Sequence, residues 1–221
     1  MRTLTRAEAK SYYDNFGTKQ DSQSFYEAPA LQALVKHSHF DQAASVFEFG
    51  CGTGHFANEL LTKHLLATAN YHGIDISTTM IQLASSCLAP YSQRAKVSLA
   101  SEEIAIPVEN NSIDRFVSSY VLDLLTPESV AKVLNEAHRA LQPDGLLCLV
   151  SLTQGVSPVS HFTMSVWQQL FSMNPAWVGG CHPTELMDHL SVKQWNVHHQ
   201  EVVVAWGIPS EVVVVSPIQT G

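Results

Sequence analysis

The sequence predicts an α/β protein built on a doubly wound, mostly parallel sheet that is completed by an antiparallel hairpin. Strand-like segments alternate with helical segments four times between residues 46 and 152, which is typical of a parallel sheet. A glycine-rich turn follows the first of these strands. Two β-branched runs, Glu201–Ala205 and Glu211–Val215, are joined by turn residues 206–210 and predict the hairpin.

Length and composition limit the classes of function. The 221 residues suit one α/β domain with an accessory segment. The net charge is -8, and the 12 Lys and Arg residues form no run, which argues against an extended contact with DNA or tRNA. We therefore expect no nucleic-acid partner.

Four widely spaced cysteines, at positions 51, 87, 148 and 181, suggest neither a disulfide framework nor a structural metal site. Cys181-His182 has no second ligand pair at metal-like spacing, so no metal is expected. The N-terminal residues have no apolar core, and no apolar run approaches the ~20 residues of a spanning helix. These features predict a cytoplasmic protein, as a monomer or homodimer.

The first strand and turn, Val46 to Ala57, form the central motif. Glu48 precedes glycines at 50, 52 and 54, giving E-x-G-x-G-x-G rather than the dinucleotide spacing G-x-G-x-x-G. Glycines let a backbone bend sharply and approach a ligand, and the following helix start adds free N–H groups. An acidic residue there would repel a pyrophosphate but suit a cation. A turn needed only for packing is the alternative.

This motif resembles the first motif of the class I S-adenosylmethionine (SAM)-dependent methyltransferases. The resemblance implies a seven-stranded Rossmann-like sheet, SAM as cofactor and S-adenosylhomocysteine as product. It places Glu48 near the methionine end of SAM and the glycines beside the sulfonium-bearing chain. It also predicts that residues 1–45 form a helical lid over a SAM-binding domain at 46–221.

The predicted lid carries aromatic residues. Gly17 and residues 19–22 divide it into two short helices. We expect Tyr12, Tyr13 and Tyr26 near cofactor or substrate, although packing of these rings on the sheet is an equal alternative.

The second strand, Tyr71–Ile74, ends in Asp75. An acidic residue about 20 residues after a glycine turn is where an α/β nucleoside site binds ribose hydroxyls. The resemblance places Ile76 against the adenine. Helix 78–88 follows, capped by Ser77 or Thr78, and its Met80 is either an adenosine contact or plain core.

The third strand, Val97–Ala100, leads to an acidic pair. Residues 106–114 resemble the L-P-F-x-D-N-S-F-D stretch of the family, and counting back from them puts Glu102 and Glu103 at the adenine-binding Asp-Ala position.

The fourth strand, Arg115–Tyr120, should wall the site at its carboxyl end with Ser118, Ser119 and Tyr120. Many relatives have a histidine where this chain has Asp123. Asp123 accepts a proton, stabilises a cationic substrate or only caps the next element. Asp123 and Tyr13 are the candidate catalytic residues.

Helix 126–141, a turn at 142–145 and an apolar fifth strand, Leu146–Leu152, complete the core. In the resembled architecture the following region, about 153–190, helps to form the substrate pocket. We expect Tyr12, Tyr26, His161, Trp167 and His182 to line it.

The aromatic and Met content of 153–190 suggests an apolar or aromatic acceptor, whereas an amphipathic helix packed on the sheet explains 162–171 equally well. The predicted cofactor-binding set comprises Glu48, Phe49, Gly50, Cys51, Gly52, Gly54, Asp75, Ile76, Met80, Glu102, Glu103, Ser118, Ser119 and Tyr120.

The predicted function is methyl transfer from SAM to a small molecule, and the chain looks most like the group that includes quinone-ring C-methyltransferases. Two alternatives stay open: a SAM-binding protein without turnover, and a nicotinamide oxidoreductase, which the glycine spacing and antiparallel hairpin disfavour. Arsenite methylation is weakened because the cysteines include no vicinal pair.

Overall fold

A computed structural model describes residues 3–17, 20, 24–101 and 103–218. Within these residues, seven strands form one sheet in the order β3-β2-β1-β4-β5-β7-β6. The strands are β1 Ser45–Phe49, β2 Asn70–Asp75, β3 Ala95–Leu99, β4 Ile113–Ser119, β5 Leu141–Leu152, β6 Trp195–Ala205 and β7 Ile208–Pro217. The α-helices are α1 Arg6–Phe16, α2 Ser24–His37, α3 His55–Glu59, α4 Thr78–Cys87, α5 Pro127–Ala140 and α6 Pro158–Met173. Short 3-10 helices lie at Phe40–Gln42, Ala89–Tyr91, Leu122–Leu124, Pro175–Val178 and Leu186–His189.

The sheet has the predicted topology. Strands β1 to β5 pair in parallel, and β7 runs antiparallel to both β5 and β6. The hairpin turn is tighter than predicted, because only Trp206 and Gly207 separate the paired residues Ala205 and Ile208. Their φ angles of 55° and 80° are those of a type I′ turn, whose twist matches the flanking strands.

Several predicted element boundaries were wrong. The helix after the glycine turn does not run uniformly to Leu66, since α3 passes into a π-helical turn at Leu60–His64. Strand β5 begins at Leu141 rather than Leu146 and includes the predicted turn 142–145. Pairing with β4 shifts between Ile113 and Arg115, which accommodates these extra residues.

Helices cover both faces of the sheet and enclose two apolar clusters. On one face α5 packs Val133 and Ala137 against Phe116 and Leu147. On the other face of the sheet, Leu34 of α2 belongs to an apolar cluster with Val46 of β1 and Val214 of β7. Each large apolar side chain that is fully buried contributes about 1.5–3 kcal/mol. These clusters hold the carboxyl ends of the strands in fixed positions.

The two N-terminal helices have different places. Helix α2 packs along β6, β7 and β5, whereas α1 lies against α4 at the edge where the parallel strands end. Helix α1 is therefore positioned to cover that edge, while the N-terminal part of α2 reaches it beside the glycine turn.

None of the helices described is long and apolar enough to cross a membrane.

Candidate functional site

A cavity of about 310 Å³ lies at the carboxyl ends of β1, β2 and β4, under α1. This volume is near the lower limit of the range for small-molecule sites. Its lining comes from the glycine turn, the ends of β2 and β4, and α1. Lining residues include Ala9, Tyr13, Gln20, Phe49, Gly50, Ile74, Asp75, Ile76, Ala100, Ile104, Ser119, Tyr120, Val121 and Leu124.

A second cavity, of about 110 Å³, adjoins the first and shares Gln20, Gly50, Ser119 and Tyr120 with it. Its remaining lining includes Glu27, Glu48, Cys51, Gly52, Thr53 and Glu59. Three carboxyl groups around so small a space, of which Glu59 also pairs with Lys63 at 3.3 Å, favour a cationic group inside it.

The glycine turn connects the two cavities. Gly50 has φ 83°, and a Cβ there would lie 2.3 Å from Cγ2 of Val121, so no larger residue fits. Gly54 is not among the residues that line either cavity. A Cβ at Gly54 would lie 3.0 Å from Cα of Ala84, so this glycine lets α3 approach α4 closely.

Asp75 is positioned by the backbone at the end of β2. Its Oδ2 accepts a hydrogen bond from the Gly52 N–H at 3.0 Å, and its Oδ1 accepts one from the Ser77 N–H at 2.8 Å. Burial raises its pKa, although these hydrogen bonds favour the ionised form. The carboxyl group thus lies in the larger cavity with its orientation fixed.

Glu48 lines the smaller cavity and is only 1 % exposed. It accepts a hydrogen bond from the Tyr71 hydroxyl. Burial raises its pKa to about 7, against the opposing effect of that hydrogen bond. A cationic ligand in the adjoining cavity would favour the ionised form.

Helix α1 is joined to α4 through Asp14. The Asp14 Oδ1 accepts hydrogen bonds from the Ser77 hydroxyl at 2.6 Å and the Thr79 N–H at 3.2 Å, and Lys10 lies 2.6 Å from Oδ2. The hydrogen bond from Lys10, followed by that from Ser77, lowers the pKa of Asp14 to about 2. The sequence did not single out Asp14, because an Asp four residues after a Lys is typical of any solvated helix.

Asp123 lies in a fully buried position in the 3-10 turn after β4. Neither of its carboxyl oxygens has a well-formed hydrogen bond with a described residue. Burial raises its pKa to about 7, and the Cys181 thiol lies against it. Tyr13 lines the larger cavity and lies near both groups, and burial raises the pKa of its hydroxyl as well.

Tyr26 and Tyr120 pack edge to face in the same region, with ring centroids 5.8 Å apart. Tyr120 has φ 55°, and its hydroxyl lies 2.8 Å from Oγ of Ser210, which joins the end of β4 to β7. Burial raises the pKa of both phenols, so they are neutral at physiological pH.

The segment that follows β5 contacts the region around Asp123 through the loop at Cys181-His182 and through the Trp167 indole. Trp167 donates a hydrogen bond from Nε1 to the Cys181 carbonyl at 2.9 Å, and the His182 N–H donates one to the Asp123 carbonyl at 3.0 Å. The His182 ring packs near Phe171. Trp167 and His182 therefore support the loop that holds Cys181 beside Asp123.

Other predicted site residues lie elsewhere. His161 is exposed and is not among the residues lining the cavities described above, and neither is the exposed Glu103. Met80 is fully buried in the core, and Ser118 donates a hydrogen bond to the Phe49 carbonyl. Glu102 lies outside the described residues. Ala100 and Ile104, which lie on either side of the predicted acidic pair in the sequence, line the larger cavity.

A third, more open cleft of about 960 Å³ lies between α1 and the end of α6. Tyr12, Phe16 and Phe171 line it. Two consecutive residues of α1 therefore line different cavities: Tyr12 lines this cleft, and Tyr13 lines the cavity that contains Asp75.

Comparison with known proteins gives a consistent result. Residues 47–149 match the methyltransferase domain family. The chain is 29 % identical over 152 residues to the tRNA N(3)-methylcytidine methyltransferase Mettl2 of Drosophila melanogaster, covering 64 % of this chain and 47 % of that protein. It is 31 % identical over 144 residues to an uncharacterized methyltransferase of Oceanobacillus iheyensis, covering 61 % of this chain and 59 % of that one. The chain thus spans about half to three fifths of the length of these relatives.

The fold has a close counterpart among solved structures. A chain from the complex between the Haloferax volcanii Trm112 methyltransferase activator and a methyltransferase superposes with a TM-score of 0.74 at 13 % identity. The match covers 96 % of this chain and 99 % of that one, which shows the shared fold. Residues 47–149, a little under half of the chain, thus match the methyltransferase domain family, and the strand order and the acidic glycine turn agree with the class I SAM-dependent methyltransferases that the sequence resembles.

Proposed function

We propose that this protein transfers the methyl group of SAM to a small apolar or aromatic acceptor. The observation that carries the proposal is the pair of adjoining cavities, with Asp75 in the larger and Glu48 in the smaller, joined at Gly50. A nucleoside that carries a cationic amino-acid chain would fit with its ribose beside Asp75 in the larger cavity and its ammonium group beside Glu48 in the smaller one.

The residues present fit SAM. Asp75 is placed to accept hydrogen bonds from vicinal ribose hydroxyls, and Ile76 and Ile104 offer apolar surface to a purine. Glu48, Glu27 and Glu59 surround the space for the ammonium end. Bound SAM supplies an electrophilic methyl on a sulfonium, whose positive charge disperses as the new bond forms.

The acceptor would lie beside Tyr13 and Tyr120, where the larger cavity meets the buried tyrosine cluster. These rings provide apolar walls that exclude water and hold a planar molecule. Holding its acceptor atom about 3 Å from the methyl carbon supplies much of the rate enhancement.

A phenol or carbon acid must also lose a proton. Asp123 has a raised pKa near 7 and lies close to Tyr13, which itself reaches the cavity. We assign Asp123 as the final proton acceptor and Tyr13 as the group that contacts the acceptor: the Tyr13 oxygen takes the acceptor's proton while its own hydroxyl proton passes by way of the Cys181 thiol, which lies against both residues, to Asp123. Tyr13→Phe and Asp123→Asn should then lower kcat and remove its rise with pH around neutrality, while affinity for S-adenosylhomocysteine stays the same.

A tRNA acceptor is the second candidate, because of the similarity to Mettl2. The net charge of -8 and the enclosed position of the cavity under α1 favour a small molecule.

Transfer from methyl-labelled SAM separates these candidates. The purified protein is offered a small-molecule metabolite pool and, separately, total tRNA, with Asp75→Ala as the inactive control. Label that enters only the small-molecule fraction supports the proposal. Label in tRNA refutes the acceptor class, and no transfer to any fraction despite SAM binding indicates a protein without turnover.

A further inference from the structure

Two histidines and one glutamate meet on the surface where α2 ends, away from the cavities. His37 is the last residue of α2, and His199 and Glu201 lie two residues apart on β6. The imidazole rings of His37 and His199 stack with centroids 3.6 Å apart and an interplanar angle of 7°. Nε2 of His199 lies 3.0 Å from Oε1 of Glu201. We refer to these three residues as the α2–β6 triad.

The spacing of the triad suits one metal ion. One ligand atom from each residue lies within 4.8 Å of the other two, and no other group of three such side chains meets this criterion within the described ranges. Ligands of a tetrahedral zinc ion, at about 2.0–2.2 Å from the metal, are about 3.3–3.5 Å apart. Because a metal ion lies in the plane of the imidazole that binds it, the parallel rings bind one ion only after one of them turns about its side-chain bonds.

The donor set is selective. Two imidazole nitrogens and one carboxylate oxygen suit Zn²⁺ and its neighbours, whereas Mg²⁺ and Ca²⁺ prefer oxygen ligands alone. All three residues are partly exposed, so a water molecule has access to a fourth position.

Neighbouring charges do not prevent binding. Lys36 and His39 lie near His37 in the sequence and disfavour positive charge on its ring, whereas the Glu201 carboxylate on β6 favours it. The Glu201 carboxylate therefore offsets part of the positive charge around the two imidazole rings.

The triad joins elements that are far apart in the sequence. Helix α2 also carries Glu27 and Tyr26, which belong to the small cavity and the tyrosine cluster. An ion at the triad would fix the C-terminal end of α2 to the sheet and so restrict the movement of the whole helix.

We propose that His37, His199 and Glu201 bind a divalent transition-metal ion, Zn²⁺ in particular, as a clip between α2 and β6. The test measures Zn²⁺ binding to the full chain by competition with a chromophoric chelator, and Co²⁺ binding by its visible absorption. His198→Ala is the matched control, since His198 is the adjacent histidine and its Nε2 lies 2.8 Å from Oγ of Ser216 instead.

One ion per chain is expected, with affinity reduced at least about tenfold in His37→Ala and Glu201→Gln and unchanged in His198→Ala. Zn²⁺ should also raise the Tm of the wild type and of His198→Ala but not of the triad variants. Glu201→Gln keeps the size of the side chain, so it reports on ligation even if His37→Ala folds poorly. Absence of Zn²⁺ binding, or equal binding by wild type and Glu201→Gln, would overturn the proposal.

Discussion

Cofactor binding should release a proton from Glu48. The pKa of this buried carboxyl is about 7, compared with 4.5 in the unfolded chain. This difference corresponds to about 3 kcal/mol that favours the protonated form in the empty site. A ligand ammonium beside Glu48 favours the ionised form, so binding and proton release are linked.

The magnitude follows from the pKa. At pH 6 about a tenth of the Glu48 side chains are ionised, whereas at pH 8 about nine tenths are. Affinity for S-adenosylhomocysteine, which keeps the ammonium group, should therefore rise about tenfold from pH 6 to pH 8. About half a proton should be released per molecule bound at pH 7.

Calorimetric titration in two buffers with different ionisation enthalpies measures the released proton. Glu48→Gln should bind more weakly and lose both the pH dependence and the proton release. Asp123→Asn is the matched control, because it removes the other carboxyl with a pKa near 7. A wild-type affinity that does not change between pH 6 and pH 8, or a dependence kept in Glu48→Gln, would refute the reasoning.

Three further predictions follow from single residues. The pKa of Asp123 is raised from 3.8 to about 7, so the free energy of unfolding that its protonated form contributes in acid is lost as pH rises to 7, at about 1.4 kcal/mol per pH unit. Chemical denaturation between pH 5 and pH 8 should therefore show a smaller decline in the free energy of unfolding for Asp123→Asn than for the wild type. Equal slopes would contradict the assignment. Gly50→Ala should lower stability and abolish cofactor binding, because the new Cβ would meet Val121. Gly52→Ala should have a milder effect, because its Cβ would meet only the end of the Gln20 side chain. Thermal melts and ligand titrations compare the two variants, and equal effects would count against the steric account. Asp14→Ala removes the hydrogen bonds to α4 and should increase hydrogen exchange in α1 with little change in global Tm, whereas unchanged exchange would show that other contacts hold the helix.

The sheet was predictable because its signals are local. Alternation of strand and helix patterns, the glycine turn and the β-branched hairpin each depend on neighbouring residues, and the observed strand order agrees with all three. Boundaries were less predictable where tertiary pairing overrides local preference. Strand β5 extends through Pro143 and Gly145 because β4 pairs with it beyond an irregularity.

The cavity residues at the ends of strands were more predictable than those that reach the cavities from distant parts of the sequence. Glu48 and Asp75 lie at strand ends, whose positions follow from the sheet. Asp14, Cys181 and the lining residue Ile104 reach the site through contacts distant in sequence, which no spacing rule reports. His161 illustrates the converse, since the sequence predicts it in the substrate pocket, whereas it is exposed and is not among the residues that line the described cavities.

The central claim is that the two adjoining cavities hold SAM between Asp75 and Glu48. Its most direct test is calorimetric titration of the purified chain with S-adenosylhomocysteine, beside Asp75→Ala. We expect micromolar binding, about -8 kcal/mol, and a loss of about 1–3 kcal/mol in the variant. No binding by the folded wild type, or equal affinity in folded Asp75→Ala, would contradict this placement of the cofactor.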